Sequence, residues 1–260
     1  MALPGLKEKF QASAPYLGMI YGPPGIGKTL AALSMPSPVI FAIEDKIPQK
    51  KADNKTDLLV DKFTPTSYTE FQQILFTLLG AIEDGSFECD TLVIDSADKL
   101  EQLIWADLCE RNSWENIASP GYGDGYTAAQ HIWFELLADL RHANKTLGVS
   151  VILISHSEIK TMDPPDMESY SRYAPRLNAK AGALIIEEVD WVGFLCRDVS
   201  INKKDGAFGK EEKTVGGAKM RRLWLEDRPA ASAKNTFGAP SSVIIKDGVE
   251  MFEVMKDYLT

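Results

Sequence analysis

The chain has 260 residues, 45% of them hydrophobic and 25% charged, which is ordinary for a globular domain. It has no run of about 18 or more apolar residues and its first residues lack the apolar core of a signal peptide, so we expect a cytoplasmic protein with no membrane partner. The three scattered cysteines argue against disulfides and structural zinc, and the net charge of -9 means that any nucleic-acid binding must come from local basic loops.

The first predicted strand, Leu17–Tyr21, runs into a glycine-rich loop. The loop reads Gly22-Pro23-Pro24-Gly25-Ile26-Gly27-Lys28-Thr29 and fits G-x-x-x-x-G-K-[ST], the phosphate-binding loop. Its glycines allow successive N–H groups to point into one cavity at the start of the following helix, where anions are favoured. Lys28 is expected to reach the β- and γ-phosphates, and the Thr29 hydroxyl to bind Mg²⁺. We therefore expect the chain to bind ATP with Mg²⁺.

The second predicted strand, Pro38–Ile43, ends in two acids, Glu44 and Asp45. Ligands gather at the carboxyl ends of strands in open α/β sheets. Glu44 is therefore the candidate base for hydrolysis and Asp45 the reserve, with a solvated acidic turn as the alternative. The polar stretch that follows is predicted to be a loop with a short strand at Leu58–Lys62.

The third buried strand, Thr91–Asp95, supplies a second carboxylate. In a phosphate-loop protein, an acid at the end of a neighbouring strand holds the Mg²⁺ shell. Asp95 is therefore assigned to nucleotide and metal binding together with Thr29. The alternative is that Asp95 only caps the helix that begins near Lys99.

Strands and amphipathic helices alternate along the chain, which predicts an α/β fold with a mostly parallel sheet flanked by helices. The predicted helices are Thr69–Glu83, Lys99–Asn112, Thr127–Lys145 and Ala179–Glu187. A glycine-aromatic loop, Ser113–Tyr126, separates the second from the third.

His156 follows another buried strand, Val149–Ser155. Because histidine can donate to a phosphate oxygen, His156 is a candidate sensor of the γ-phosphate, with a structural histidine as the alternative. The next stretch, Ser157–Asn178, is predicted to be a long loop, and basic loops with aromatic side chains hold single-stranded nucleic acid. The candidate DNA-binding residues in this loop and just after it are Lys160, Arg172, Tyr173, Arg176 and Lys180.

The last predicted strands, Trp191–Arg197 and Met220–Glu226, are expected to form a hairpin with its tip at Asn202–Gly217. We expect one domain over residues 1–260, with a core at about 17–225 and a C-terminal β-hairpin extension at about 226–260.

The phosphate loop, Glu44, Asp95 and His156, in this order, resemble the RecA-like ATPase core shared by recombinases and ring helicases of the DnaB type. Within that class the chain is most similar to compact phage ATPases, some of which anneal single strands. The resemblance implies that Glu44 is the catalytic base and that His156 senses the γ-phosphate and controls a DNA-binding loop. It also implies partners: single-stranded DNA, copies of the chain in a filament or ring, and a single-strand-binding protein in a bacterial cytoplasm.

The segment Ala233-Lys-Asn-Thr resembles a family segment whose Lys and Arg reach the nucleotide of a neighbouring subunit. Its lysine, Lys234, is present and is expected to act in trans. Thr236 stands where the arginine finger would be, and Arg221 or Arg222 could replace it.

Three functions fit these observations. The first is an ATP-dependent, DNA-stimulated, single-stranded DNA-binding protein of recombination that anneals or pairs strands. The second is a DnaB-like helicase or motor ATPase. The third, which the acidic composition keeps open, is a nucleotide switch that acts on protein partners without DNA.

Overall fold

A computed structural model describes residues 15–44, 46–51, 53–205 and 211–259. The strands are β1 (Leu17–Gly22), β2 (Pro38–Ala42), β3 (Asp61–Phe63), β4 (Thr91–Asp95), β5 (Ser150–Met162), β6 (Tyr170–Pro175), β7 (Trp191–Asp205), β8 (Glu211–Trp224), β9 (Lys234–Asn235) and β10 (Ser242–Ile245). The helices are α1 (Lys28–Ala32), α2 (Tyr68–Glu83), α3 (Ala97–Asn112), α4 (Asp124–His142), α5 (Ala179–Glu188) and α6 (Met251–Leu259), and a π-helical turn, Ala143–Leu147, continues α4.

The sheet has the order β10-β8-β7-β1-β5-β4-β2-β3. All neighbours from β7 to β3 in this order are parallel, whereas β8 and β10 are antiparallel additions at one side. The mixed α/β fold with a largely parallel sheet is therefore as predicted. Its topology puts the end of β1 between the ends of β5, β4 and β2 on one side and the β7–β8 hairpin on the other.

Each face of the sheet carries its own layer of helices, because side chains alternate between faces along a buried strand. On β1, Met19 and Tyr21 pack with α2, α3, α4 and α5. Ile20 packs on the opposite face, where α1 and α6 lie. The phosphate loop therefore crosses from the sheet to the face of α1.

The predicted loop Ser157–Asn178 is wrong, because most of it forms an antiparallel hairpin. The strand β5 continues past its partners in the sheet to Met162 and pairs with β6, with Ser157 opposite Pro175. The prolines that suggested a loop lie at the turn, around Pro164, and at the end of β6, where no ladder N–H is needed.

The β7–β8 hairpin is confirmed, but its strands extend well into the predicted tip, as far as Asp205 and Glu211. The C-terminal segment contributes two short strands, which do not form a hairpin with each other: β9 is antiparallel to β7 and β10 is antiparallel to β8. It also contains the unpredicted helix α6. Met251, Met255 and Leu259, one helical turn apart, bury this helix in the core beside α1.

The short strand predicted at Leu58–Lys62 corresponds to β3, which forms the far edge of the sheet and begins three residues later. Among the described residues, no helix has both the length and the apolar character that crossing a bilayer requires.

Candidate functional site

The phosphate loop connects β1 to α1 and has the predicted backbone. Gly25 and Gly27 have positive φ values of 71° and 93°, a region that favours glycine. Gly22 lies against β7, where a Cβ built on it would be 2.2 Å from the carbonyl oxygen of Leu195. The glycines of the motif are thus required by backbone conformation at two positions and by close packing at the third.

Lys28 is buried at the first position of α1. Its Nζ donates to the carbonyl oxygens of Gly22, at 3.0 Å, and Pro23, at 3.1 Å. Burial lowers the pKa of the Lys28 ammonium, and nearby carboxylates partly oppose this shift. Ile26 is buried beneath the loop and Pro24 is exposed above it, so the loop is anchored on one side and open on the other.

Thr29 and Asp95 form the predicted metal pair. The Thr29 hydroxyl donates to Oδ2 of Asp95 at 2.6 Å. Burial raises the pKa of Asp95, and the hydrogen bond from Thr29 opposes this shift. Two oxygen ligands in contact, one of them a carboxylate at the phosphate loop, fit a Mg²⁺ shell completed by phosphate oxygens and water. Asp95 does not cap α3, since Ser96 occupies that position.

Glu44 lies two residues after the end of β2, beside Asp95. The backbone N–H groups of Ile43 and Glu44 donate to the carbonyl oxygen of Asp95, which fixes the turn. The Ser96 hydroxyl donates to Oε1 of Glu44 at 3.1 Å, and Nδ1 of His156 lies 3.6 Å from the same oxygen. The reserve candidate, Asp45, lies outside the described residues. The acidic turn is thus part of the site, since Glu44 is mostly buried against both strand ends.

His156 is held by a carboxylate that the sequence did not single out, Asp98. Both the backbone N–H and Nδ1 of His156 contact Asp98, and the shortest ring distance is 3.0 Å. Arg176 donates to Oδ2 of Asp98 at 2.5 Å, and its Nη2 lies 3.2 Å from the histidine ring. Burial alone would raise the pKa of Asp98, but the hydrogen bonds from Arg176 and His156 hold it below its ordinary value. Asp98 is therefore a buried anion that joins the two ends of the β5–β6 hairpin.

Glu101, one turn further along α3, holds the end of the same hairpin. Its carboxylate accepts the backbone N–H of Asn178, at 3.0 Å, where α5 begins. Burial raises the pKa of Glu101 to about 7. The sequence signal for both acids was their spacing: Asp98 and Glu101 lie three residues apart, on one face of the helix that follows Asp95.

The cations predicted to bind DNA from the hairpin are already paired. Arg172 is mostly buried and pairs with Asp227 at 2.5 Å. Lys160 is more exposed, but its Nζ lies 3.0 Å from Oε1 of Glu158. Tyr173 is 40% exposed and stacks on Phe194, with ring centroids 4.9 Å apart. Together with Arg176, these contacts assign most of the predicted set to the hairpin's own framework.

Lys180 lies where the glycine-aromatic loop meets α5. Its Nζ donates to the Thr127 hydroxyl in the first turn of α4 and comes close to Gly123, the residue before that helix. Tyr122 lies next to Gly123 with a φ of 46° and a fully exposed side chain. The start of α4, the start of α5, Lys180 and an exposed aromatic ring therefore lie in one region.

Lys234 lies away from the phosphate loop of its own chain. Through β9 it pairs with Val192 near the start of β7, whereas the loop begins at the opposite ends of the strands. Its Nζ donates to the carbonyl oxygens of Ile186 and Glu187, at 3.0 and 2.6 Å, at the end of α5. Thr236 also donates to a backbone carbonyl nearby, that of Asp190. Neither residue contributes to the site in cis.

Comparison with known proteins agrees with this geometry. The AAA_24 family model, described as an AAA domain, matches residues 14–237. The crystal structure of the RadB recombinase has a similar fold, with a TM-score of 0.50 and 14% sequence identity over 90% of this chain and 88% of that chain. No curated protein matches the sequence significantly. The chain therefore belongs to the AAA_24 family of AAA-domain proteins and is a P-loop ATPase with a RecA-like fold.

Proposed function

We propose that this ATPase binds single-stranded DNA under the control of its nucleotide and promotes strand annealing or pairing in phage-type recombination. The observation that carries the proposal is the contact of one buried carboxylate, Asp98, with His156, where β5 leaves the hydrolytic site, and with Arg176, where β6 returns to the base of the β5–β6 hairpin. A change of nucleotide at His156 would reach both ends of that hairpin through a single side chain.

In this proposal Glu44 is the general base for the attacking water, because its carboxylate is fixed beside Asp95 and faces the phosphate-loop side of the sheet. Lys28 neutralises the β- and γ-phosphates, which requires its ammonium to leave the two loop carbonyls. Thr29 and Asp95 hold Mg²⁺, which supplies charge neutralisation at the phosphates. His156 reports the γ-phosphate.

In this proposal the hairpin transmits the signal because its base, where its two ends meet, is fixed to α3 through Asp98. Further along β6, Arg172 and Tyr173 hold the strand to Asp227 and to the backbone of residues 230–232. Besides the contacts of Asp98, the Arg176 N–H donates to the His156 carbonyl at 2.8 Å. Glu101 holds Asn178, the next anchor along the chain. If the His156 ring turned toward a phosphate oxygen, Asp98 would lose its contact with Nδ1 of His156 and keep its contact with Arg176. The hairpin base would then shift.

We propose a DNA surface on the open side of this hairpin and of the loop before α4. Lys160 and Lys180 belong to it, and the exposed ring of Tyr122 joins them as a base-stacking platform, whereas Tyr173 lies on the other face of the hairpin, where it stacks on Phe194. The N-terminus of α4, which has no side-chain cap, lies beside Lys180 in this region, where phosphates are favoured. Arg172 and Arg176 serve the framework and the coupling in this proposal.

We further propose a head-to-tail assembly, as a ring or filament, with ATP between subunits. Lys234 lies near the amino ends of the strands, whereas the phosphate loop lies at their carboxyl ends, so Lys234 could approach a nucleotide only on a neighbouring chain. A heterologous interface brings two different surfaces of successive subunits together. A single-strand-binding protein is a further proposed partner in the bacterial cytoplasm.

Fluorescence anisotropy with a labelled single-stranded oligonucleotide tests the proposal, in ADP and in a non-hydrolysable ATP analogue. We expect the affinity to differ at least tenfold between the two nucleotides in the wild type. In Asp98→Asn the difference should shrink to less than threefold while the affinity for the nucleotides persists. Asp257→Asn, at an exposed aspartate on α6 outside the network and the proposed DNA surface, is the matched control.

The same protein should anneal complementary oligonucleotides without unwinding a duplex. Unwinding of a forked duplex would instead favour the motor alternative. Absence of DNA binding in both nucleotide states would reject the proposal in favour of a nucleotide switch for protein partners.

A further inference from the structure

Arg221, on β8, reaches the phosphate loop from the side opposite the hydrolytic residues. A Cβ built on Gly27 would lie 2.6 Å from Nη1 of Arg221, so this guanidinium packs directly against the residue that precedes α1. On its strand Arg221 is opposite Ile245 of β10 and Arg197 of β7. A cation is thus brought to the phosphate loop from 194 positions further along the chain.

This guanidinium is half-buried and has no hydrogen-bond or ion-pair partner among the residues that the structure describes. Burial lowers the pKa of Arg221, and the charge of Asp247 opposes this shift. A partly desolvated guanidinium normally gains a planar partner, a phosphate, a carboxylate or a ring. A ligand at the phosphate loop would supply one.

The neighbouring arginine, Arg222, is paired within the chain. Its Nε lies 2.9 Å from Oδ1 of Asp198 and its Nη1 donates to the Ser242 hydroxyl at 2.9 Å. Its guanidinium also lies over the Trp224 ring, 5.2 Å from the centroid. Arg222 is therefore a structural residue, and it provides a comparison of the same type on the same strand.

The sheet order fixes which end of a nucleotide would meet Arg221. Glu44, Asp95 and His156 end the strands β2, β4 and β5, all on one side of β1. Metal, water and γ-phosphate must meet on that side. The nucleoside end then extends to the other side of β1, where β7 and β8 bring Arg221.

We propose that Arg221 binds the nucleoside end of the nucleotide, against its base, as an affinity determinant that takes no part in hydrolysis. The inference rests on the nucleotide site described above, and deepens the proposed function by adding a recognition group on the β8 side. A guanidinium there can lie flat against the base. Lys28 and the loop amides would hold the phosphates.

Isothermal calorimetry with ADP and with inorganic tripolyphosphate, in the absence of DNA, tests this. We expect Arg221→Gln to weaken ADP about tenfold or more, the scale of a lost contact between a desolvated guanidinium and a ring, and tripolyphosphate less than threefold. Arg222→Gln should leave the affinity for both ligands within threefold of wild type. In ATP hydrolysis the KM of Arg221→Gln should rise, whereas that of Arg222→Gln should stay within threefold of the wild-type value.

Unchanged ADP affinity in Arg221→Gln would overturn the inference, as would an equal loss for tripolyphosphate. If Arg221→Gln does not fold, Arg221→Lys replaces it, with a threefold or larger loss for ADP expected and unchanged affinity again overturning the inference. Because no DNA is present, a chain that fails to bind DNA would reject the proposed function and leave this result intact.

Discussion

The carboxylate of Glu44 lies 3.6 Å from Nδ1 of His156, and the Ser96 hydroxyl donates to the same oxygen. The candidate base and the candidate γ-phosphate sensor are therefore in one hydrogen-bonding network. If a bound γ-phosphate drew the His156 ring away from Glu44, the Glu44 carboxylate would be free to accept a proton from water. The same movement of the His156 ring would then serve both hydrolysis and nucleotide sensing.

Replacing Glu44 with Gln should reduce ATP turnover by about two orders of magnitude or more, the scale of a lost general base. ATP affinity should stay within about threefold, because the amide keeps the size of the side chain and can still accept from Ser96. Phosphate release and calorimetry measure the two quantities, and Glu83→Gln, at the exposed end of α2, is the control. Normal turnover in Glu44→Gln would show that another group activates the water.

Lys28→Ala should weaken ADP binding at least tenfold, because a charge-assisted contact to phosphate is lost. The carbonyls of Gly22 and Pro23 also lose their donor, so the melting temperature without ligand must be measured alongside the calorimetry. The control is Lys145→Ala, since Lys145 is exposed. Tight ADP binding by a folded Lys28→Ala protein would contradict the role of the loop.

Glu101 should make the folded state less stable as the pH rises. Its pKa of about 7 lies above the ordinary value of about 4.3. The stabilisation therefore belongs to the protonated form: it is fully present below the ordinary pKa and is lost as the pH rises through about 7.

Glu101→Gln stays neutral and keeps an acceptor for the Asn178 N–H. It should exceed the wild type in free energy of unfolding at pH 8 by on the order of 1–3 kcal/mol, and by much less at pH 5. Urea unfolding at the two pH values measures this, with the exposed Glu115→Gln as control. A Glu101→Gln protein less stable than the wild type at pH 8 would refute the assignment.

If each ATP site is shared between two subunits, mixing Glu44→Gln chains with Lys234→Ala chains should restore ATPase activity. Lys234→Ala should lower turnover about tenfold or more in the assembled protein without changing ADP affinity. Glu44→Gln chains retain Lys234, and Lys234→Ala chains retain the base, so mixed assemblies contain some complete sites. Their ATPase rate should exceed the sum of the two separate rates.

Lys246→Ala, an exposed lysine of the same C-terminal segment, is the control for this experiment. Strict additivity in the mixture would mean that Lys234 serves only the end of α5 in its own chain.

The core of the site could be predicted because its parts are local patterns. The phosphate loop is continuous in sequence, and Glu44, Asp95 and His156 each follow an apolar strand. The carboxyl ends of neighbouring parallel strands lie side by side, so the residues at the ends of three apolar strands could be assigned to one site.

The rest depends on contacts that no local pattern contains. Asp98 meets Arg176, 78 positions away, only because β5 turns back through β6. The same hairpin paired Arg172 with Asp227, so basic residues that suggested an open DNA loop are occupied in the folded chain. Helix α6 was missed because it is short, although its buried side chains recur every four residues.

The length of β5 has a mechanical consequence. From His156 to Met162 the strand extends about 20 Å beyond its last pairing with β1, at about 3.3 Å per residue, without a break. This part of β5 is a rigid extension whose base is His156, the proposed γ-phosphate sensor. A tilt of about 10° at His156 would move the far end of the extension sideways by about 3.5 Å, so an ångström-scale rearrangement of phosphate oxygens would be amplified at the tip without any hinge.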